Sequence, residues 1–185
     1  MTALIHLWLP ILLSAVVVFT ISSLVHMVFK WHASDYKPVA NEDALRATVN
    51  AANLTPGLYV VPFCKDMKDM GSPEVMKKYQ EGPVLHVTVM PKGLPNMGKY
   101  LGLWFAWSLV IATLAAYLAA RAGGPGAAAA SAARWAASIT FIGHGFGTVT
   151  ESIWMGRPWS TSAKYLLDSA LYAAGTWAVF LWLWP

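Results

Sequence analysis

ARWAASITFIGHGFGTVTESIWMGRPW, residues 133–159, is an apolar stretch of membrane-spanning length that nevertheless carries His144 and Glu151 inside it. An ionisable group near the centre of a bilayer costs about 2.5–3.5 kcal/mol on insertion scales unless it is paired or faces a protein interior. Both residues are therefore candidate functional positions. At helical spacing Thr140, His144, Thr148 and Glu151 fall on one stripe, and that stripe is expected to face other helices. Gly143 and Gly147 form a small-xxx-small pair beside it, a helix-packing signal.

The composition places this segment in a membrane protein. Apolar residues make up 57% of the chain and charged residues 12%, against roughly 45–50% and 25% in soluble domains. The net charge of +4 is no nucleic-acid signal, because the basic residues lie in one loop or flank the apolar stretches, where a membrane surface accounts for them. The one cysteine, Cys64, rules out an internal disulfide.

Four stretches are long and apolar enough to cross a bilayer. Residues 4–29 read as an uncleaved first transmembrane helix, since Lys30 follows the apolar run and no Lys or Arg precedes it. Residues 100–120 contain no ionisable side chain, residues 133–154 are the opening stretch, and residues 163–184 carry Asp168, Tyr172 and Thr176 on one face. Arg121 and a Gly/Pro/Ala run to Ser131 link the second and third spans.

Residues 30–99 are the long polar interval. Asn41 is a helix cap followed by Glu42 and Asp43, and Thr55-Pro56-Gly57 breaks that helix. Leu58–Phe63 and Val84–Met90 read as strands, the second with Leu85, Val87 and Val89 on one face. Between them Ser72-Pro73-Glu74 starts another helix, which ends near Gly82. The expected architecture is an all-α membrane fold: a four-helix transmembrane bundle with a small α+β insertion between helices 1 and 2. An insertion of this size buries little surface alone, so it is expected to lean on the bilayer or a partner.

Lys30, Lys37, Lys92, Lys99, Arg157 and Lys164 flank one side of the spans, whereas Arg121 and Arg134 flank the other. The positive-inside rule then puts residues 30–99 in the cytoplasm and both termini in the periplasm. In this topology His26, Glu151 and Asp168 approach the same interface from three helices. With His144 they form a candidate intramembrane polar cluster able to titrate protons or bind a cation. A structural reading pairs Asp168 with Lys164 and Glu151 with Arg157, leaves His26 at the interface, and gives His144 a hydroxyl partner. Haem ligation by His144 and a first-helix histidine is disfavoured, because His26 and His144 are expected at different depths.

Cys64, Met67 and Met70, with His86 in the second strand, offer soft ligands suited to Cu(I). Their spacing is loose and methionine equally fills small cores, so no metal is assigned and no cofactor is named. Gly143-x-Gly145-x-Gly147 lacks the strand and the Lys-Ser/Thr of a phosphate loop. No catalytic motif is present.

KWHASDYKPVANEDAL (30–45), LPNMGKYL (94–101) and SIWMGRPWSTSAKYLLDSALYAAGTWAVFLWLWP (152–185) resemble an uncharacterised family of small four-span bacterial inner-membrane proteins. The resemblance implies a bacterial inner membrane and carries over no activity, ligand or site residue. The expected role is non-enzymatic: an accessory or interaction protein in the lipid bilayer, with a membrane-protein partner or a second copy. The alternative is a small transporter or proton/cation-coupled carrier using His26, His144, Glu151 and Asp168.

Overall fold

Leu4–Phe29 is helical throughout, yet its geometry changes along its length: a 3-10 turn at Leu4–Leu7, the α-helix α1 at Trp8–Ser23 and a wider π turn at Leu24–Phe29. The computed structural model describes residues 4–123 and 126–185, so Gly124 and Pro125 of the predicted connection lie outside the described residues. It divides into two units, Met1–Lys37 with Asn96–Pro185, and Pro38–Pro95.

The second unit holds α2 (Glu42–Ala51), β1 (Gly57–Val61), α3 (Pro73–Glu81) and β2 (Leu85–Val89). Asn41 caps α2 by accepting from the Ala44 N–H at 3.1 Å, and Ser72 caps α3, whose first residue is Pro73. The strands pair antiparallel with Tyr59 opposite Val87 and Val61 opposite Leu85. Tyr79 of α3 donates to the Pro62 carbonyl at the end of β1. Among the described residues, none of this unit is buried.

The first unit is a ring of four helical elements: α1, α4 (Met97–Gly123), the pair α5 (Ala129–Gly145) and α6 (Gly147–Met155), and α7 (Trp159–Leu183). Each packs against the next, and α7 returns to α1. Leu4–Phe29, Met97–Gly123 and Trp159–Leu183 are long and apolar enough to cross a membrane. The predicted single span over 133–154 is instead two helices meeting at Phe146, between Gly145 and Gly147. Each glycine lowers helix stability by about 1 kcal/mol relative to alanine, which makes this the natural place for a break. α4 begins before the predicted residue 100, because the Asn96 side chain accepts from the Lys99 N–H and caps the helix.

Small residues set how closely the ring closes. A Cβ on Gly143 would lie 3.2 Å from Ile111 of α4, one on Gly145 2.8 Å from Ser169 of α7, and one on Gly175 2.6 Å from Val17 of α1. The predicted packing pair Gly143/Gly147 is thus met at Gly143 and Gly145, whereas Gly147 has open space beside it. At one end of the ring Ala115, Ala116 and Ala119 of α4 meet Ala132, Ala133 and Ala136 of α5, with Leu7 and Phe180 filling the remaining space. All of these are fully buried. Trp184 closes this end by donating to the Ala127 carbonyl.

Candidate functional site

The opposite end of the ring is built from the far side of α1. The π turn finishes with the Lys30 N–H donating to the Val25 carbonyl, five residues back, and Lys30 itself adopts a left-handed conformation (φ 54°). That conformation costs a non-glycine residue roughly 1–2 kcal/mol. It turns the chain back so that the 3-10 turn Trp31–Asp35 docks on α7.

The docking contacts form one continuous chain of charge. Lys164 Nζ uses its donors on Asp35 Oδ1 (2.5 Å), Ser34 Oγ (2.8 Å) and the Trp31 carbonyl (2.8 Å). Asp35 Oδ2 lies 2.8 Å from His32 Nδ1, and His32 Nε2 lies 2.7 Å from Asp168 Oδ2. Trp31 Nε1 donates to the other Asp168 oxygen at 3.0 Å. Burial would push the Asp35 carboxyl up, the largest single influence on it, but hydrogen bonds from Lys164 and His32 together with their charges hold it below the ordinary carboxylate value. Each nitrogen of the His32 ring faces a carboxylate oxygen, so the ring bridges Asp35 to Asp168, and Lys164 closes the far end of the chain. The Asp168 and His32 side chains are 2% and 8% exposed, a depth at which an uncancelled charge would be costly.

Two rings sandwich His32. His26 stacks on one side with centroids 4.8 Å apart and planes 11° apart, and Tyr165 packs against it at 4.5 Å. His26 Nδ1 is itself engaged with the Ser22 carbonyl at 3.0 Å.

Beside this network lies a partly open cavity of about 160 Å³ lined by Ser22, His26, Trp104, His144, Tyr165, Asp168 and Tyr172. His144 packs edge-on between Trp104 and Tyr172, each ring 5.3 Å away. Among the described residues, neither nitrogen of His144 has a hydrogen-bond partner, nor does Trp104 Nε1. Buried polar atoms left in this state carry a desolvation cost of roughly 1–3 kcal/mol each. At about 30 Å³ of liquid volume per water, the cavity is large enough for several waters or a small solute. It is smaller than the roughly 300–1,000 Å³ of sites for drug-sized ligands.

The predicted polar cluster is divided. His26, His144 and Asp168 line the same cavity. Glu151 sits apart, 2.6 Å from Arg157, and both side chains are part-exposed. Of the hydroxyls expected to bind His144, Thr140 Oγ1 has no hydrogen-bond partner among the described residues, and Thr148 pairs with Ser162, which also meets Ser152 at 2.6 Å and so ties α6 to α7. Lys164 reaches Asp35, not the Asp168 one turn away. In the second unit Cys64 Sγ contacts the Asp66 carbonyl, Met67 is 74% exposed, and His86 lies exposed on β2.

Sequence reasoning passes over Trp31, His32 and Asp35, which it places in the polar insertion. The available signal is His32 and Asp35 three apart, immediately after an apolar helix that already carries His26 near its end. Among the described residues, His26, His32 and Asp168 are the group of His, Cys, Asp or Glu side chains whose ligand atoms all lie within 4.8 Å of one another. No protein-family model, curated protein or solved structure matches this chain, and the chemistry of the site rests on its own residues.

Proposed function

We propose that this chain is a four-span membrane protein of the carrier class that binds a small polar or ionic solute in a hydrated cavity between its helices. The observation that carries this reading is the cavity itself. His144 and Trp104, whose ring nitrogens have no partner among the described residues, line it together with Asp168, His26 and Tyr172, and buried polar groups of this kind favour water or a ligand nearby over an empty space. In this reading α5 and α6 together make the fourth crossing, and the lysines at the site's end of the bundle, Lys30, Lys37 and Lys99, support a site that faces the cytoplasm from a bacterial inner membrane.

Cysteine accessibility tests it. With Cys64→Ser as background, Ser22→Cys places a thiol in the cavity wall, and Lys30→Cys provides an exposed control. A membrane-impermeant thiol reagent is expected to label both variants in proteoliposomes whose cytoplasmic face is turned outward. A thiol at position 22 that resists labelling while the one at position 30 reacts fully, and that reacts once the protein is denatured, means a dry interface and removes the reading.

A second reading is an accessory role in which residues 38–95 bind a partner. It is favoured by the lack of burial across that unit and by the exposure of Leu58, Phe63 and Leu94. A strictly monomeric mass in mild detergent would count against self-association as its form.

A further inference from the structure

We propose that His26, His32 and Asp168 form a binding site for a divalent transition-metal cation of the zinc or cobalt type, with its remaining coordination position open to the cavity. This assignment rests on the hydrated-cavity reading and names what that cavity takes. Three observations support it independently of one another.

The first is proximity. One ligand atom from each of the three residues lies within 4.8 Å of the others. Bonds of about 2.0–2.2 Å to imidazole and carboxylate at tetrahedral angles place ligand atoms about 3.2–3.5 Å apart. His32 Nε2 and Asp168 Oδ2, now 2.7 Å apart, would separate slightly as the cation replaces the hydrogen between them. His26, now stacked on His32 with its plane only 11° away, would have to turn out of that stack to aim Nε2 at the same ion, a rotation that a side chain at the exposed rim allows.

The second is the outer layer of contacts. A ligating histidine nearly always donates its other nitrogen to a carboxylate or backbone carbonyl, which fixes the ring and strengthens the bond to the metal. Here His32 Nδ1 meets Asp35 Oδ2 and His26 Nδ1 meets the Ser22 carbonyl. Asp168 is oriented by Trp31 Nε1 through its other oxygen, and Asp35 is in turn held by Lys164. Each candidate ligand therefore has one atom anchored from outside; the other is unengaged at His26, while at His32 and Asp168 it is shared in the 2.7 Å hydrogen bond between them, which the cation would replace. An ordinary salt-bridge network gives no reason for this arrangement at His26, whose ring stacks on His32 without a charged partner of its own among the described residues.

The third is the donor set. Two imidazoles and one carboxylate suit borderline first-row cations, whereas Ca²⁺ and Mg²⁺ take oxygen ligands and Cu(I) takes sulfur. Three protein ligands with an open fourth position are the pattern of a site that keeps a water or exchanges its cation, unlike the closed four-ligand pattern of a structural zinc. The cavity adjoins that position and supplies a route to it.

The test uses the full chain, purified in mild detergent through a tag without histidine, stripped with chelator and titrated with Co²⁺. Wild-type protein is expected to bind about one Co²⁺ per chain and to develop the visible absorption of a tetrahedral nitrogen/oxygen site. His26→Gln and Asp168→Asn are expected to weaken binding more than about tenfold, and Asp35→Asn, which touches no metal, by about 10–100-fold. His86→Ala leaves binding unchanged. His26→Gln keeps the case decidable if Asp168→Asn misfolds, because the Lys164–Asp35–His32–Asp168 chain does not run through His26. Wild-type protein that binds no Co²⁺, or a His26→Gln variant that binds it as wild type does, overturns the proposal. If the Ser22→Cys thiol is labelled but no Co²⁺ binds, the metal assignment fails and the cavity reading survives; if that thiol is shielded, the cavity reading has failed first.

Discussion

The two ends of the helical ring are packed on opposite principles. At one end, six alanines from α4 and α5 with Leu7 and Phe180 bring the backbones together through apolar side chains alone. At the other, five aromatic or imidazole rings and a carboxylate surround about 160 Å³ of space, and a chain of alternating charge holds the Trp31–Asp35 turn to α7. In lipid there is little hydrophobic gain from helix association, so small residues that permit close approach do the holding. The alanine end therefore supplies cohesion, and the polar end can carry strain and unsatisfied groups that a uniform bundle would not tolerate. The unit Pro38–Pro95 follows neither principle, having secondary structure with caps and a register but no buried residue among those described.

The largest effect is expected at the charge chain. Asp168→Ala leaves His32 and Trp31 Nε1 without an acceptor at a buried position and should cost about 3–5 kcal/mol, read as a lowered midpoint in denaturant unfolding of the micellar protein. A loss below about 1 kcal/mol, the level of a surface pair, would mean that the polar end is solvated throughout. Next comes the close packing of the ring. Gly175→Leu drives a side chain into Val17 and Ile21 and Ala133→Leu overfills the alanine seam, each at about 1–3 kcal/mol by the same measurement. Ready tolerance of Gly147→Leu, where nothing lies within 4 Å, sharpens the contrast.

His144→Leu is expected to move stability by less than about 1 kcal/mol, and in the favourable direction, because it removes two unpartnered nitrogens. It should at the same time slow labelling of the thiol introduced by Ser22→Cys, since it makes the cavity wall apolar. The smallest effect belongs to the second unit. A hydrogen bond from Lys78, and its charge, hold Glu74 below its ordinary value of 4.5, so its support of α3 is present above that pH and is lost as the pH falls through its folded value. Hydrogen exchange along residues 75–81, corrected for its intrinsic pH dependence, should quicken slightly below about pH 4.5 in the wild type, and Glu74→Gln should abolish that change.

Local signals are legible wherever one residue governs one conformation. Asn41, Ser72-Pro73 and Gly82 mark the ends of α2 and α3, and the alternation of Leu85, Val87 and Val89 gives β2. Three of the four apolar stretches are helices long enough to cross a membrane. The break at Phe146 escapes a hydropathy reading because Gly145, Phe146 and Gly147 are all compatible with a bilayer, and glycine's cost is conformational. The site is half legible. His26, His144 and Asp168 stand out as ionisable groups in apolar helices, whereas Trp31, His32 and Asp35 follow the span and look like ordinary loop residues. What joins them to Asp168 is a reversal at Lys30, a left-handed conformation that no local preference of lysine announces. Lys164 departs from its expected partner for a related reason: an i, i+4 carboxylate is available in sequence, but Asp35 and the Trp31 carbonyl, distant along the chain, satisfy more of its donors.

The two units offer metal ligands of different kinds: nitrogen and oxygen from His26, His32 and Asp168, sulfur from Cys64, Met67 and Met70. X-ray absorption of the full chain loaded with one equivalent of Zn²⁺ separates them directly. Binding at the cavity predicts a shell of nitrogen and oxygen at about 2.0–2.1 Å with the outer scattering of two imidazoles. A sulfur shell at about 2.3 Å, or a spectrum of hydrated zinc alone, would contradict it.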